Sequence, residues 1–207
     1  MITLLQACTD YINKKSQSYK NKKIIDLGCG TGHFTTFFGQ HNKVIGVDIQ
    51  NVVNNIYKNF TFRKTDATKL PFEDNIFDLV ISFDVIEHIE NDDQMITEAY
   101  RILKKGGKIF FGTPNRERLA NVVLKVIGKQ RKYPLSLGND KLLGEMIHIR
   151  EYTKDEIEKI LKRHNFRQIK VTHFWFGTPF LKYGTIKLFD WSKKYCQYLF
   201  FEAIKIL

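Results

Sequence analysis

The chain has 207 residues, 43% hydrophobic and 14% aromatic, which is enough material for a sizeable buried core. Thirty-three Lys and Arg against 22 Asp and Glu give a net charge of +11, which permits an anionic partner, while no uninterrupted apolar run approaches the roughly twenty residues of a membrane span. The three cysteines, Cys8, Cys29 and Cys196, are odd in number and far apart, suggesting neither a disulfide framework nor a zinc site.

Residues 1–15 lack the basic start and long apolar centre of a signal peptide, so retention in the cytosol is the default expectation. Ile24 and Ile25 then lead through Asp26 and Leu27 into a glycine-punctuated turn, and Phe34, Phe37 and Phe38 follow at helical spacing, giving the order strand, tight loop, helix. Glycines in such a loop let backbone approach a ligand closely. A second apolar strand ends at Asp48, where open α/β sheets place a carboxylate on ribose hydroxyls. The loop reads Asp26-x-Gly28-x-Gly30-x-Gly32, with an acid at its head. That acid would repel a dinucleotide's pyrophosphate and suits a ligand carrying an ammonium and a sulfonium.

Residues 60–67 alternate as a third strand ending at Asp66 and Ala67, and Leu70-Pro71-Phe72 leads to a continuous apolar run from Phe77 to Phe83, as expected of a parallel strand covered on both faces. Met95, Ile96, Ala99, Ile102 and Leu103 form a helical stripe, which Gly106-Gly107 is expected to stop before a fifth strand over 108–114. These motifs, in this order, resemble the class I (Rossmann-like) S-adenosylmethionine-dependent methyltransferases of the type 11 group. The resemblance implies an α/β, three-layer αβα sandwich with a mostly parallel sheet of the seven-stranded type and an insert after strand five. It also implies S-adenosyl-L-methionine as cofactor, held by Asp26, Gly28, Cys29, Gly30, Gly32, His33, Asp48, Ile49, Asp66, Ala67 and Phe83, with Asp66 on the adenine amino group. Cys29 reads as a small filler of the loop and not as a nucleophile.

The insert spans 115–147, and Leu119, Val122, Val123, Val126 and Ile127 form a helical stripe interleaved with Lys125 and Lys129, a pattern suited to a lid over a lipid-like acceptor. Thr153 to Glu156 is a capping box opening the next helix, and residues 168–176 read as a sixth strand. Phe110, Phe111, Thr113, Asn115, Arg116, His148 and Tyr152 resemble the pattern of the ubiquinone-biosynthesis O-methyltransferases. The expected organisation is one methyltransferase domain over 1–207, with a cofactor half at about 20–114, the insert, and an aromatic tail at about 177–207. Within that tail, residues 185–189 could supply a seventh strand. Otherwise the tail reads as an amphipathic helix whose Trp191 and Phe200, beside Lys193 and Lys194, would extend the insert's apolar, lysine-bordered surface.

Methyl transfer is an in-line displacement, so a hydroxyl acceptor needs alignment and a base. If 85–89 begins a helix, Asp84, Glu87 and His88 share one face, as a base with its orienting carboxylate or as ligands of a hard divalent cation. His148 is a second base candidate, giving His88, His148 and Glu87 as the catalytic set. The expected reaction is methyl transfer to a small-molecule or lipid-like acceptor at oxygen, with peripheral membrane contact. The alternatives are an RNA methyltransferase and a non-catalytic S-adenosylmethionine-binding protein. DNA is excluded as a substrate, because neither the Asn/Asp-Pro-Pro-Tyr/Phe motif nor a Pro-Cys nucleophile is present.

Overall fold

Nine strands and six helices are seen in the computed structural model, which describes residues 2–54, 57–141, 144–177 and 190–206. Seven strands form one sheet: β1 (Lys23–Leu27), β2 (Lys43–Asp48), β3 (Phe60–Lys64), β4 (Phe77–Phe83), β5 (Leu103–Pro114), β8 (Phe166–Phe174) and β9 (Tyr198–Lys205). Their spatial order is β3-β2-β1-β4-β5-β9-β8. The first five are parallel, and β9 runs antiparallel between β5 and β8. The chain direction reverses its walk across the sheet between β1 and β4, so a crevice opens at their carboxyl ends, where open α/β folds bind ligands.

The side-chain period of two sorts the strands' residues between two cores. Ile25, Val80, Ile109, Leu199 and Phe201 pack beneath α3 (Asp92–Ile102) and α5 (Lys154–Arg163) through Met95, Ile96, Ala99, Ile157 and Leu161. Ile24, Val44, Leu79, Ile81, Phe110 and Phe200 face the other way, against Cys8 and Ile12 of α1 (Leu4–Ser16) and Phe38 of α2 (Thr35–Gly39). The α1 helix is absent from the sequence reading; Thr3 caps it by accepting from the Gln6 N–H. The expected capping box at Thr153 and Glu156 opens α5.

Three expectations need correction. The helical stripe ends at Ile102, before the glycines, and Gly106 (φ 77°) sits inside β5, where the register with β4 shifts. Residues 85–89 do not begin an α-helix: Ile86–His88 is a single 3-10 turn, entered through Asp84 in the left-handed region (φ 55°). The third correction concerns the tail, whose last part is the strand β9 and not an amphipathic helix. Tyr198, Leu199, Phe200 and Phe201 are buried, a site worth roughly 1.5–3 kcal/mol for each large side chain, which outweighs a surface or membrane placement. Phe200 therefore belongs to the core and cannot extend the insert's surface. Residues 185–189, the other candidate strand, lie outside the described residues, as does the side chain of Trp191.

The insert holds α4 (Leu119–Val126) and a hairpin of β6 (Leu135–Asp140) with β7 (Gly144–His148), which pair with each other and not with the main sheet. No residue of α4 is buried, and Val126 and Ile127 are 81% and 58% exposed, so its apolar stripe faces outward. Among the described residues, no helix is long and apolar enough to cross a membrane.

Candidate active site

The cofactor half is assembled at the carboxyl ends of β1 to β4. Gly28, Gly30 and Gly32 all take positive φ (70°, 50° and 84°), which only glycine adopts without strain. A Cβ built on Gly30 would meet no atom within 4 Å, so the loop arches over open space. One on Gly28 would strike the Val85 Cγ2 at 2.4 Å, which brings the turn after β4 directly against the glycine loop. Asp48 braces the same loop, its Oδ2 accepting from the Gly30 N–H at 2.9 Å and its Oδ1 from the Gln50 N–H at 3.0 Å. Each carboxylate oxygen accepts more than one hydrogen bond, leaving capacity for ribose hydroxyls.

Asp66 directs Oδ1 at the Thr68 N–H and hydroxyl, at 2.7 and 2.8 Å, and is itself exposed beyond the end of β3. Ile49 next to Asp48 is 64% exposed, an apolar flank for a base ring, and Ala67 is buried behind Asp66. Phe83 is buried and meets Phe34 edge to face, so it supports the crevice wall. His33 is exposed at the entry to α2, its Nε2 3.4 Å from the Thr9 hydroxyl of α1. Cys29 is a filler, as expected: its Sγ would lie 2.8 Å from a Cβ at Gly46, and burial raises its thiol pKa.

Asp26 is fully enclosed, and its Oδ2 accepts from the Thr35 hydroxyl at 2.5 Å. Burial, reinforced by the nearby Asp48 and opposed by Thr35, pushes it up to about 7. A cationic ligand over the loop would favour its charged form.

These residues fit S-adenosylmethionine: an open glycine arch, acids at the ends of β2 and β3, and an exposed apolar side chain between them. Asp48→Ala is expected to weaken S-adenosylhomocysteine binding by about 1–3 kcal/mol, the cost of stranding hydroxyls on a removed acceptor. Calorimetric titration checks this, and equal affinity in both proteins would remove Asp48 from the site.

Beyond β4 the chain places a second group of polar residues. Asp84 is open to solvent yet ringed by protein, as befits a cleft floor; burial pushes it up to about 6, against the Tyr198 hydroxyl and the charge of His148, which favour its anion. Glu87 is fully buried, with Oε2 accepting from the Thr113 hydroxyl at 2.9 Å. Burial and the neighbouring Asp84 raise its pKa well above the usual carboxylate range. The insert returns over this turn, Ile149 N–H donating to the Glu87 carbonyl at 2.9 Å, and so carries His148 onto Glu87 and His88. The His88 and His148 rings lie 4.8 Å apart, edge to face. Burial lowers the His88 pKa.

His148 is itself held. Its Nδ1 lies 3.0 Å from the Glu151 Oε1, and Arg118 grips both Glu151 oxygens, at 2.5 and 2.9 Å. Burial opposes charge on Glu151, but His148 and Arg118 outweigh it and bring the carboxyl down to about 2. The structure thus groups Glu87 and His88 with His148, whereas the i, i+3, i+4 set that included Asp84 required a helix that does not form.

Asn115 and Tyr152 sit below this group. Asn115 donates to the Lys194 and Cys196 carbonyls, and the Tyr152 hydroxyl donates to Asp92 at 2.5 Å. Arg118, Glu151 and Tyr198 were missed by the sequence reading. Only Arg118 and Glu151 carried a signal, as charged residues within and just after the insert.

The model of the methyltransferase domain matches residues 25–111, which include the glycine loop, Asp48, Asp66 and the Asp84–His88 turn. Residues 25–111 thus carry a methyltransferase domain, and the fold around it is that of the class I S-adenosylmethionine-dependent methyltransferases. A ubiquinone biosynthesis O-methyltransferase of Coxiella burnetii is 26% identical over 144 residues, 65% of this chain and 61% of that protein. A demethylmenaquinone methyltransferase of Lactobacillus johnsonii is 25% identical, covering 79% of this chain and 75% of its own. A methyltransferase structure from Thermotoga maritima shares the fold at a TM-score of 0.68 and 19% identity, covering 98% of this chain and 91% of its own. The chain thus spans less than two thirds of the Coxiella protein's length. S-adenosylmethionine is the cofactor of this methyltransferase family, and the seven-stranded sheet is that of its fold.

Proposed function

We propose that the protein transfers a methyl group from S-adenosylmethionine to an oxygen of a small-molecule or lipid-like acceptor. The observation that supports this reading is the approach of Val85 to Gly28, which brings the turn that carries Asp84, Glu87 and His88 against the glycine loop. The cofactor supplies an electrophilic methyl group when bound. The chain's own residues would then align the acceptor and remove its proton, the second being needed by a hydroxyl and not by a neutral amine. Asp84, at the cleft floor with the Tyr198 hydroxyl behind it, is the proton acceptor in this reading. His148, fixed by Glu151 and Arg118, would close the cleft from the insert side.

The resemblance to the ubiquinone biosynthesis O-methyltransferase of Coxiella supports methylation at oxygen, that to the demethylmenaquinone methyltransferase of Lactobacillus supports a quinone-type acceptor, and the exposed apolar residues of α4, with Lys125 among them, suit delivery of such a molecule. The insert would act as the lid. A labelled methyl-transfer screen over phenols, prenylquinols, sugars, amines and bulk RNA tests the reading. Label on a hydroxylated ring compound is the expected outcome; label on RNA alone, or on amines alone, would replace it.

A further inference from the structure

The insert walls a polar cavity that the proposed reaction does not use. It holds about 330 Å³, near the small end of the range for ligand pockets, and lies between α4, the loop after it, the start of α5 and the approach to β9. Lys125, Arg131 and Lys194 line it, and none of the three pairs with a carboxylate among the described residues. Arg116 lines it too, matched by Glu156 at 2.6 Å, and Glu117 is the acid of the lining, which leaves a surplus of positive charge. We infer that this cavity binds a small organic phosphate carrying a hydroxyl, at a site separate from the cofactor arch.

Charge alone would attract any anion; two buried polar atoms ask for more. Asn121 donates its amide to the Arg116 carbonyl at 2.9 Å and to the Glu151 Oε2 at 3.4 Å, which fixes its orientation. Its Oδ1 is then a buried acceptor with no partner among the described residues. The Tyr133 hydroxyl is buried likewise and approaches Glu151 without closing a hydrogen bond. Burial, with Glu151 beside it, raises the Tyr133 pKa, so the hydroxyl keeps its proton. Unpaired buried groups are costly, and ligand hydroxyls remove that cost by donating to Asn121 and accepting from Tyr133.

A phosphate monoester suits the cations. Arg131 offers a planar fork and the two lysines compact charges, against a group that carries up to about two negative charges where a carboxylate carries one. No residue of the cofactor half lines the cavity. Its link to the rest of the molecule runs through Glu151, which meets Asn121 with Oε2 and holds His148 with Oε1. A ligand on that wall would sit behind His148, on the insert side of the proposed acceptor cleft, and its binding does not rest on the methyl-transfer reading.

Calorimetric titration at about 0.15 M salt, where loose surface charges are screened, is the test. The probes are glycerol 3-phosphate, glucose 6-phosphate and phosphoserine, set against inorganic phosphate and citrate. One saturable site for an organic phosphate is expected, roughly fivefold or more tighter than for inorganic phosphate, the gain from satisfying the buried groups. Lys125→Glu and Arg131→Glu should each weaken it by about tenfold or more, with the melting temperature of the free protein unchanged. Asn121→Ala should abolish the preference for the organic phosphate and leave inorganic phosphate as it was, whereas a folding defect would lower both. Protein saturated with S-adenosylhomocysteine should bind the organic phosphate equally well; loss of that binding would place the phosphate in the cofactor cleft and overturn the separate site. No saturable binding of the three organic phosphates, or binding indifferent to both charge reversals, would overturn it too. So would co-sedimentation with phosphatidylglycerol vesicles in the absence of any soluble ligand, which would give the basic lining to a lipid surface. Failure of the methyl-transfer screen would leave these titrations standing, and their failure would leave the screen standing.

Discussion

Asp84→Asn is expected to lower turnover on the true acceptor by roughly 10²–10⁴-fold, the range for losing a positioned general base, with cofactor affinity nearly unchanged. The substitution is close to neutral for the backbone. Asp84 takes φ 55°, and Asn tolerates that left-handed conformation as well as Asp does. It keeps the side-chain shape beside Tyr198 and removes only the ability to take a proton. Single-turnover kinetics with preloaded S-adenosylmethionine read the chemical step directly. A loss in KM alone, or in melting temperature alone, would make Asp84 a packing residue of the cleft floor.

Arg118→Ala should produce the largest fall in stability. Arg118 and Glu151 form a bidentate pair in which the carboxylate is fully buried and the guanidinium nearly so. Removing one partner of such a pair leaves the other charge uncompensated, at a cost of about 3–5 kcal/mol. For a chain of this size that corresponds to a melting temperature lowered by roughly 6–20 °C. The pH dependence supplies a second reading. Glu151 is held at about 2, below its usual 4.5, so its contribution, roughly 3 kcal/mol, is complete above about pH 4.5 and is lost as pH falls through 2. In Arg118→Ala much of that acid-labile contribution should already be missing at neutral pH. A melting temperature within 2 °C of wild type, a shift of about 1 kcal/mol or less, would show that Glu151 is held mainly by other partners.

The cofactor half was legible because its determinants are local. The glycine loop, Asp48 and Asp66 are each set by a strand end and the few residues after it, and the strands announce themselves by apolar runs or, in β3, by alternation. The acceptor half was legible only as parts. Glu87, His88 and His148 were singled out, but their meeting depends on a 3-10 turn and on the β6–β7 hairpin, which returns the chain over Glu87. Nothing near Glu87 encodes that return, 60 residues downstream. The turn itself was misread because Asp84 leaves β4 in the left-handed region, and an Asp there is as compatible with a helix start as with a left-handed step. The tail failed for a different reason. Tyr198 to Phe201 is apolar on both faces, since both faces of β9 are covered there, and a short continuous apolar run does not separate strand from buried helix.

That tail has a consequence for how the chain is made. β9 lies between β5 and β8, yet both of its neighbours precede it in sequence. As the chain leaves the ribosome, β5 must therefore wait with Phe110 and Phe111 in place and a bare hydrogen-bonding edge, while β8 has no partner in the sheet. Pairings that span so much sequence form late and leave aromatic surface open to other chains in the interval. Asn115 then fastens the last strand's approach by clasping the carbonyls of Lys194 and Cys196. The cleft proposed to take the methyl acceptor, whose floor carries Tyr198 behind Asp84, is thereby among the last parts of the molecule to exist, well after the glycine loop is complete.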